Sequence, residues 1–382
     1  MANKLDLTIA AIEKQFGKNI IMRASEFVNT AEQRVPSGVF SLDIAMGGGI
    51  PKGRTLIYKG EFSAGKTSAA LLNVGEFQKR CRFCLTEIKR TVDVETGEIT
   101  ETCACGKVAP HVCGYLDVEG TYDPVWASCL GVNNSTLYLV QPEYGEQAVD
   151  ILEALIRSGE LDLLVVDSLA AITPTVEIEA TADKQLVGNH ARLINRMCRA
   201  ISSSLNSLGM DNPRKPTVIL INQIRDKIGV MYGPTETMPG GRGQGFTSSI
   251  TVNFANRGRV THNGAKDGIP VGVTLQAFIE KNKTFPPYQT ARFELYHIDD
   301  STKGCCKGEV NNGEQIISYA VQLGLVKKGG SWFSYPADAD VPLLKVQGEQ
   351  AFAVELMRHE QAYTEITGAV MDAVRARFRK RE

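Results

Sequence analysis

The chain has 382 residues, enough for roughly two or three domains with sizeable cores. Its 42 Lys+Arg against 43 Asp+Glu leave a net charge of −1, so any nucleic-acid binding needs local basic surfaces and not bulk charge. No secretory signal opens the sequence, no apolar run is long enough to span a bilayer, and nine cysteines are too few for a secreted disulfide scaffold of this length, which points to the cytoplasm.

Leu5, Ile9, Ile12 and Phe16 recur at helical spacing and Gly17 stops the run, which predicts an amphipathic helix over 5–16. Such a helix packs either on its own core or on a neighbouring subunit. Residues 24–35 are polar and read as a linker. The run Thr55 to Tyr58 has the β-branched and aromatic content of a buried strand. It leads into Gly60-x-x-x-x-Gly65-Lys66-Thr67, the Walker A pattern, and an Ala- and Leu-rich helix start follows. That strand–loop–helix context separates the motif from a mere glycine-rich turn. Glycines let backbone N–H groups converge on phosphate oxygens, and the helix N-terminus adds the positive end of its dipole. Gly60, Glu61, Phe62, Ser63, Ala64, Gly65, Lys66, Thr67 and Ser68 thus form the expected ATP cradle, with Lys66 on the β- and γ-phosphates and the Thr67 hydroxyl on Mg²⁺.

An insertion interrupts the pattern after this helix. Cys81-x-x-Cys84 is followed, after eighteen intervening residues, by Cys103-x-Cys105. Between them Thr91–Thr100 alternates as a polar hairpin with Thr-Gly near its tip. Two thiol pairs at the ends of a hairpin resemble a zinc ribbon, in which Zn²⁺ supplies folding energy to a module too small for a core. The second pair has one intervening residue where two are usual, and His111 can stand in as a ligand. Free thiols and a disulfide or redox pair are the alternatives.

Cys113 to Glu119 reads as a buried strand ending in a carboxylate at the sheet edge where α/β proteins bind ligands; a plain surface acid is the alternative. Cys113 itself belongs to the core. Leu161 to Asp167 is an apolar strand ending in Asp, the Walker B pattern, which places Asp167 on Mg²⁺. Arg192, Arg196 and Arg199 share one helix face and present either a solvated basic stripe or a phosphate-binding one. Thr217 to Gln223 is another buried strand with an amide at its end, placed either as a simple strand-end group or to hydrogen-bond a γ-phosphate. Residues 226–245 then form a long loop with six glycines, a length that marks function or disorder. Val273, Leu275, Ala277 and Ile279 alternate along a strand whose same face continues with Lys281 and Lys283, a cationic clamp or an exposed strand end.

Ser37 to Gly53 together with the Walker loop, and Glu13-Lys-Gln-Phe-Gly-Lys18 with Met22-Arg23 upstream, resemble the RecA family of DNA strand-exchange recombinases. The likeness covers roughly 8–80, 113–298 and part of 310–335, where Leu325-Val-Lys-Lys-Gly-Gly-Ser-Trp-Phe-Ser-Tyr335 is similar to the family's small C-terminal domain. Glu61 and Ala64 stand where the family has Pro and Ser, and Gly245 where it has Lys. The resemblance implies that Glu119 activates the water attacking the γ-phosphate, that Asp123 and Trp126 hold the adenine, and that Gln223 senses the γ-phosphate. Residues 173–190 then match a first DNA-binding loop, with Val187 as an apolar wedge between bases beside Gly188. Arg225, Lys227, Ile228, Gly240, Gly241 and Arg242 match a second loop, with Ile228 inserting between bases. Phe246 sits at the subunit interface, and Lys281 and Lys283 reach the neighbour's ATP. The usual family lacks the cysteine insert. It often ends in an acidic tail, whereas Arg375 to Arg381 is basic here, either attracting duplex DNA or simply closing a soluble helix.

The expected architecture is an α/β, RecA-like P-loop core with a mostly parallel twisted sheet flanked by helices. Residues 1–35 form an N-terminal helix and linker, 36–300 the ATPase core with a zinc-ribbon-like insertion at 81–112, and 301–382 a small α+β domain. The expected activity is ATP-dependent filament formation on single-stranded DNA, pairing with homologous duplex and strand exchange, in a bacterial or phage-infected cell, with no membrane partner. A ring helicase or branch-migration motor on the same core is the alternative, and a P-loop switch or kinase that ignores DNA is a third class.

Overall fold

The computed structural model describes residues 3–17, 20–26, 33–93, 96–180, 188–209, 212–226, 236–241, 243–265 and 267–378. Helix α1 (Lys4–Phe16) forms where the apolar spacing places it, and Asn3 and Asp6 open it with reciprocal side-chain caps. None of its residues is buried, and Leu5, Leu7 and Phe16 are each more than 60% exposed. Ile9 and Ile12, on the same apolar side, are half-buried.

Strand β1 (Thr55–Gly60) runs through the Walker loop into α2 (Lys66–Gln78). The insert contributes the hairpin β2 (Lys89–Val92) and β3 (Ile99–Thr102), paired with Val92 opposite Ile99. The chain then alternates through β4 (Cys113–Asp117), α3 (Pro124–Cys129), β5 (Leu137–Val140), α4 (Gly145–Arg157), β6 (Leu163–Asp167), α5 (Asn189–Ser207) and β7 (Thr217–Gln223). Three strands follow: β8 (Ile250–Thr261), β9 (Pro270–Asn282) and β10 (Thr290–Tyr296). Among the described residues these form one eight-stranded sheet in the order β10-β9-β8-β1-β7-β6-β4-β5. From β8 to β5 every pairing is parallel, and β9 and β10 add an antiparallel edge.

The parallel strands are buried on both faces, so their sequences are near-continuous apolar runs. Leu56, Tyr58, Tyr115, Val165, Ile219 and Ile221 face α2, while Ile57, Leu116, Leu164, Val166, Val218 and Leu220 face α4 and α5. The C-terminal ends of β1, β7, β6 and β4 consequently lie along one sheet edge, where Gly60, Gln223, Asp167 and Asp117 stand. The last part of the chain is α6 (Asn312–Gln322), the sheet β11 (Lys327–Gly329), β12 (Trp332–Tyr335) and β13 (Leu344–Gln347), then α7 (Glu349–Arg358) and α8 (Glu360–Phe378). It has its own apolar cluster, which Phe40 joins from the short helix Phe40–Met46.

Candidate active site

The Walker loop needs its glycines. Gly60 has φ +154°, and a Cβ there would lie 2.3 Å from the Phe254 carbonyl oxygen; Gly65 has φ +84°, and its Cβ would meet Leu275 at 2.4 Å. Gly65 also precedes the first turn of α2 and offers no capping side chain, so the first N–H groups of that helix remain for an anion. Lys66 is 7% exposed, and its Nζ donates to the Gly60 carbonyl at 3.0 Å and to that of Glu61. Burial pulls its pKa below the usual lysine value, opposed by Asp167 and Glu119. Ser63 adopts φ +54°, Ala64 is buried, and Phe62 projects into solvent.

Asp167 ends β6 beside this loop. Its Oδ2 accepts from Thr67 Oγ1 at 2.7 Å and from the Tyr115 hydroxyl at 2.7 Å. Burial raises its pKa, which these two donors partly offset. The pair Thr67 and Asp167 suits a hard cation: two oxygen donors sit together at the helix N-terminus, and they would hold Mg²⁺ there. Glu119 lies just beyond β4. Its Oε1 accepts from Ser168 Oγ and, at 3.4 Å, from Gln223 Nε2. The three strand ends expected to carry water activation, metal and γ-phosphate sensing therefore converge.

Two neighbours of this cluster were not singled out in the sequence. Asp117, 2% exposed, accepts from Thr121 N, Tyr122 N and Gln141 Nε2 and so shapes the turn carrying Glu119 and Asp123. Asn222, beside Gln223, donates to the Pro239 carbonyl at 3.0 Å and to Gln244 Oε1 at 2.8 Å. The first is a strand-end acid hidden by the more conspicuous Glu119; the second is a buried amide whose partners are distant in sequence.

Asp123 caps α3 through Oδ1, accepting from Val125 N at 2.8 Å and Trp126 N at 3.2 Å. Trp126 Nε1 donates to Ser68 Oγ at 3.4 Å, which ties the expected adenine side to the phosphate helix. His297 meets the Trp126 ring edge-on with centroids 5.6 Å apart, and burial lowers its pKa. Nothing in the local sequence marks this histidine.

Lys281 and Lys283 do not join the chain's own Walker loop. Strand register sets Lys281 level with Ile57, three residues before Gly60, and Lys283 lies two pairs further back, its N–H donating to the Ser249 carbonyl, whose own N–H donates to the Thr55 carbonyl. About 10 and 17 Å of strand rise separate the two lysines from Gly60, with β8 lying between β9 and β1. Lys281 Nζ donates to the Gly245 carbonyl and, at 2.6 Å, to that of Ser248. Burial, then Lys283, lowers its pKa. Phe246 next to it is 80% exposed.

Arg192, Arg196 and Arg199 are exposed on one face of α5, and Arg196 pairs with Asp150 at 3.2 Å. Gly188 precedes that helix with φ +89°. The glycine-rich loop returns onto the same helix: a Cβ on Gly240 would lie 2.7 Å from Ile194, and one on Gly243 would collide with Asn195. Gly241 adjoins this contact, and Arg225 is exposed at the loop's start. Val187, Lys227, Ile228 and Arg242 lie outside the described residues.

The four insert cysteines converge. Their Sγ atoms lie within 4.8 Å of one another, with Cys84–Cys103 at 3.3 Å, Cys103–Cys105 at 3.5 Å and Cys81–Cys105 at 3.7 Å. A tetrahedron with metal–sulfur bonds of about 2.3 Å needs sulfurs ~3.8 Å apart, so the cluster fits Zn²⁺. A disulfide needs about 2.05 Å, and all nine cysteines are unbridged. His111 is corrected as a stand-in ligand: it is buried at the end of α2, its Nδ1 lies 3.2 Å and 2.9 Å from the Phe77 and Arg80 carbonyls, and burial lowers its pKa to about 4. Cys113 is buried in its strand as expected, with a thiol pKa pushed up by burial. Arg82, inside the first cysteine pair, bonds Asp162 with its Nε at 3.1 Å, and Asp162 in turn accepts from Val112 N at 2.9 Å. Both ends of the insert are thereby fastened to the foot of the Walker B strand.

A phosphate-binding loop at the C-terminal edge of a parallel sheet, with a paired hydroxyl and carboxylate for a divalent cation and a second carboxylate aimed into the same cleft, defines a P-loop nucleoside triphosphatase. The family model described as the RecA N-terminal domain matches residues 3–98 and 95–301. Protein RecA of Aquifex aeolicus is 36% identical over 370 residues, covering 97% of this chain and 92% of that protein. Protein RecA of Fusobacterium nucleatum is 35% identical over 367 residues, 96% of this chain and 83% of its own, and that of Bacillus subtilis 38% over 333 residues, 87% and 82%. The chain belongs to the RecA family. Among the described residues no helix is long and apolar enough to cross a membrane.

Proposed function

We propose that this chain is a recombinase and DNA-dependent ATPase of recombination and repair, assembling on single-stranded DNA with ATP at the seam between successive protomers and then pairing that strand with homologous duplex. The observation carrying this reading is the displacement of Lys281 and Lys283 from the chain's own Walker loop. Lysines so placed serve phosphates held by an adjacent copy, as an arginine finger does in trans. Phe246 and the apolar side of α1, both exposed, suit the same seam.

Within each site Gly60 to Ser68 hold the phosphates, Thr67 and Asp167 hold Mg²⁺, and Asp123 and Trp126 hold the base. Mg²⁺ bound there would neutralise charge developing on the phosphate oxygens. Glu119 orients the attacking water and receives its proton, with Oε1 engaged by Ser168 and Gln223 and, among the described residues, no hydrogen bond to Oε2. Gln223 hydrogen-bonds the γ-phosphate and Asn222 passes its position to Pro239 and Gln244, at the foot of the second loop. That loop, with Arg225, Lys227, Ile228, Gly240, Gly241 and Arg242, and the first loop, with Val187, Gly188 and the arginine face of α5, grip the DNA by phosphate contacts and apolar wedges. Zn²⁺ on Cys81, Cys84, Cys103 and Cys105 closes the insert. Residues 1–35, 36–300 and 301–382 act as docking segment, motor core and accessory domain, in the cytoplasm where the ATP and DNA are.

ATP hydrolysis measured with and without single-stranded DNA tests this. The rate rises with DNA in the wild type and is lost in Lys66→Ala; a rate indifferent to DNA overturns the reading.

A further inference from the structure

Among the described residues, the Tyr115 hydroxyl is the one side-chain donor to the Walker B carboxylate from outside the Walker loop. Tyr115 is 2% exposed, in the middle of β4. Register pairs it with Val165 and pairs Asp117 with Asp167, so Tyr115 and Asp167 are diagonal neighbours on the sheet face that meets α2. Diagonal pairs on adjacent strands stand about 7–8 Å apart, a span an aromatic side chain with a terminal hydroxyl bridges and a phenyl ring leaves one hydrogen bond short. The bond is 2.7 Å, and Tyr122 fixes the ring edge-on at a centroid distance of 5.3 Å.

Asp167 Oδ2 therefore carries two donors, Thr67 Oγ1 and Tyr115 OH, and among the described residues no hydrogen bond to Oδ1 is found. A hydroxyl has one proton and two lone pairs. Thr67 can donate to Asp167 and still direct a lone pair at a cation, but its rotamer then depends on the nucleotide and metal. Tyr115 makes no such exchange: it is locked in the core and holds the carboxylate plane whichever way Thr67 turns. We propose that Tyr115 is a positioning residue for Mg²⁺, holding Asp167 through Oδ2 so that Oδ1 faces the cation or its bound water. The proposal rests on the reading of Thr67 and Asp167 as the Mg²⁺ pair. Groups that orient metal-binding carboxylates in this way typically change metal affinity by 10–100-fold when removed.

The test titrates MgCl₂ into the full-length protein with a fluorescent ATP analogue and reads nucleotide binding by anisotropy, with no turnover required. Four proteins are compared: wild type, Tyr115→Phe, Asp167→Asn and Tyr58→Phe. Tyr58 is a second buried tyrosine of the same core cluster, its hydroxyl 2.7 Å from Asn73 Oδ1 and remote from the metal pair. The expected result is a Mg²⁺ midpoint raised about 10-fold in Tyr115→Phe, raised further in Asp167→Asn and unchanged in Tyr58→Phe, with Tyr115→Phe recovering wild-type nucleotide binding at saturating Mg²⁺. A wild-type midpoint in Tyr115→Phe while Asp167→Asn shifts overturns the role of Tyr115 alone. Equal shifts in Tyr115→Phe and Tyr58→Phe overturn it too, since that is general softening of the core. No shift in Asp167→Asn overturns the metal pair on which the proposal stands.

Discussion

Glu119 shows how much of the chemistry is set by neighbours. The side chain sits two residues past the end of β4, and Ser168 and Gln223, from the ends of the next two strands across, bond the same carboxylate oxygen. Replacing Glu119 by Gln keeps the size and the ability to accept those bonds but removes the base. We expect kcat for DNA-stimulated hydrolysis to fall by about 10²–10⁴, the usual worth of a positioned general base, with ATP affinity kept. Steady-state kinetics with direct nucleotide binding checks this; loss of binding together with kcat would assign Glu119 to the ground state instead. The placing of Lys66, Thr67, Glu119, Asp167 and Gln223 at strand ends or in the phosphate loop was legible because each ends a buried run or sits in a fixed motif, while the roles expected of Glu119 and Gln223 came from the family resemblance. Asp117, Asn222, Ser168, His297 and Tyr115 were not legible, because their partners come from other strands and only register reveals them.

The element whose function the sequence describes least is the insert. Its hairpin strands are almost wholly exposed, so it has no apolar core of its own. The four thiols and the Arg82–Asp162 contact supply what packing does not. The spacing of the cysteines was enough to place the cluster, whereas the exclusion of His111 needed the structure, since His111 is spent on the end of α2. Because Cys81 follows α2 by three residues, loss of the metal should loosen the C-terminal end of the helix whose N-terminus binds phosphate. We expect one Zn²⁺ per chain by elemental analysis, and a Tm lowered by several degrees in Cys84→Ser or after treatment with a strong chelator, the consequence of losing metal-linked folding energy. A metal-free preparation with unchanged Tm would contradict this. Helix α1 is the converse case: its periodicity was plain in the sequence, whereas the exposure of Leu5, Leu7 and Phe16 is seen only in the structure.

At the scale of the whole molecule, the mostly parallel α/β sheet flanked by helices and the family were readable from the order of motifs along the chain, whereas the order of the strands across the sheet was not. Nor was the separation of the lysine pair from its own Walker loop, since it depends on β9 running antiparallel on the far side of β8. On the function proposed above, each ATP site is a joint product of two copies, with Gly60 to Thr67 from one and Lys281 and Lys283 from the other. Mixing complementary variants tests this most directly. Lys66→Ala lacks a working phosphate loop but carries an intact lysine pair; the double variant Lys281→Ala, Lys283→Ala has the reverse defect. On single-stranded DNA each alone should hydrolyse ATP at background rates, and a mixture should regain activity at seams where a good loop meets a good lysine pair. A mixture as inactive as its components, or full-rate hydrolysis by the double variant alone, would contradict the account.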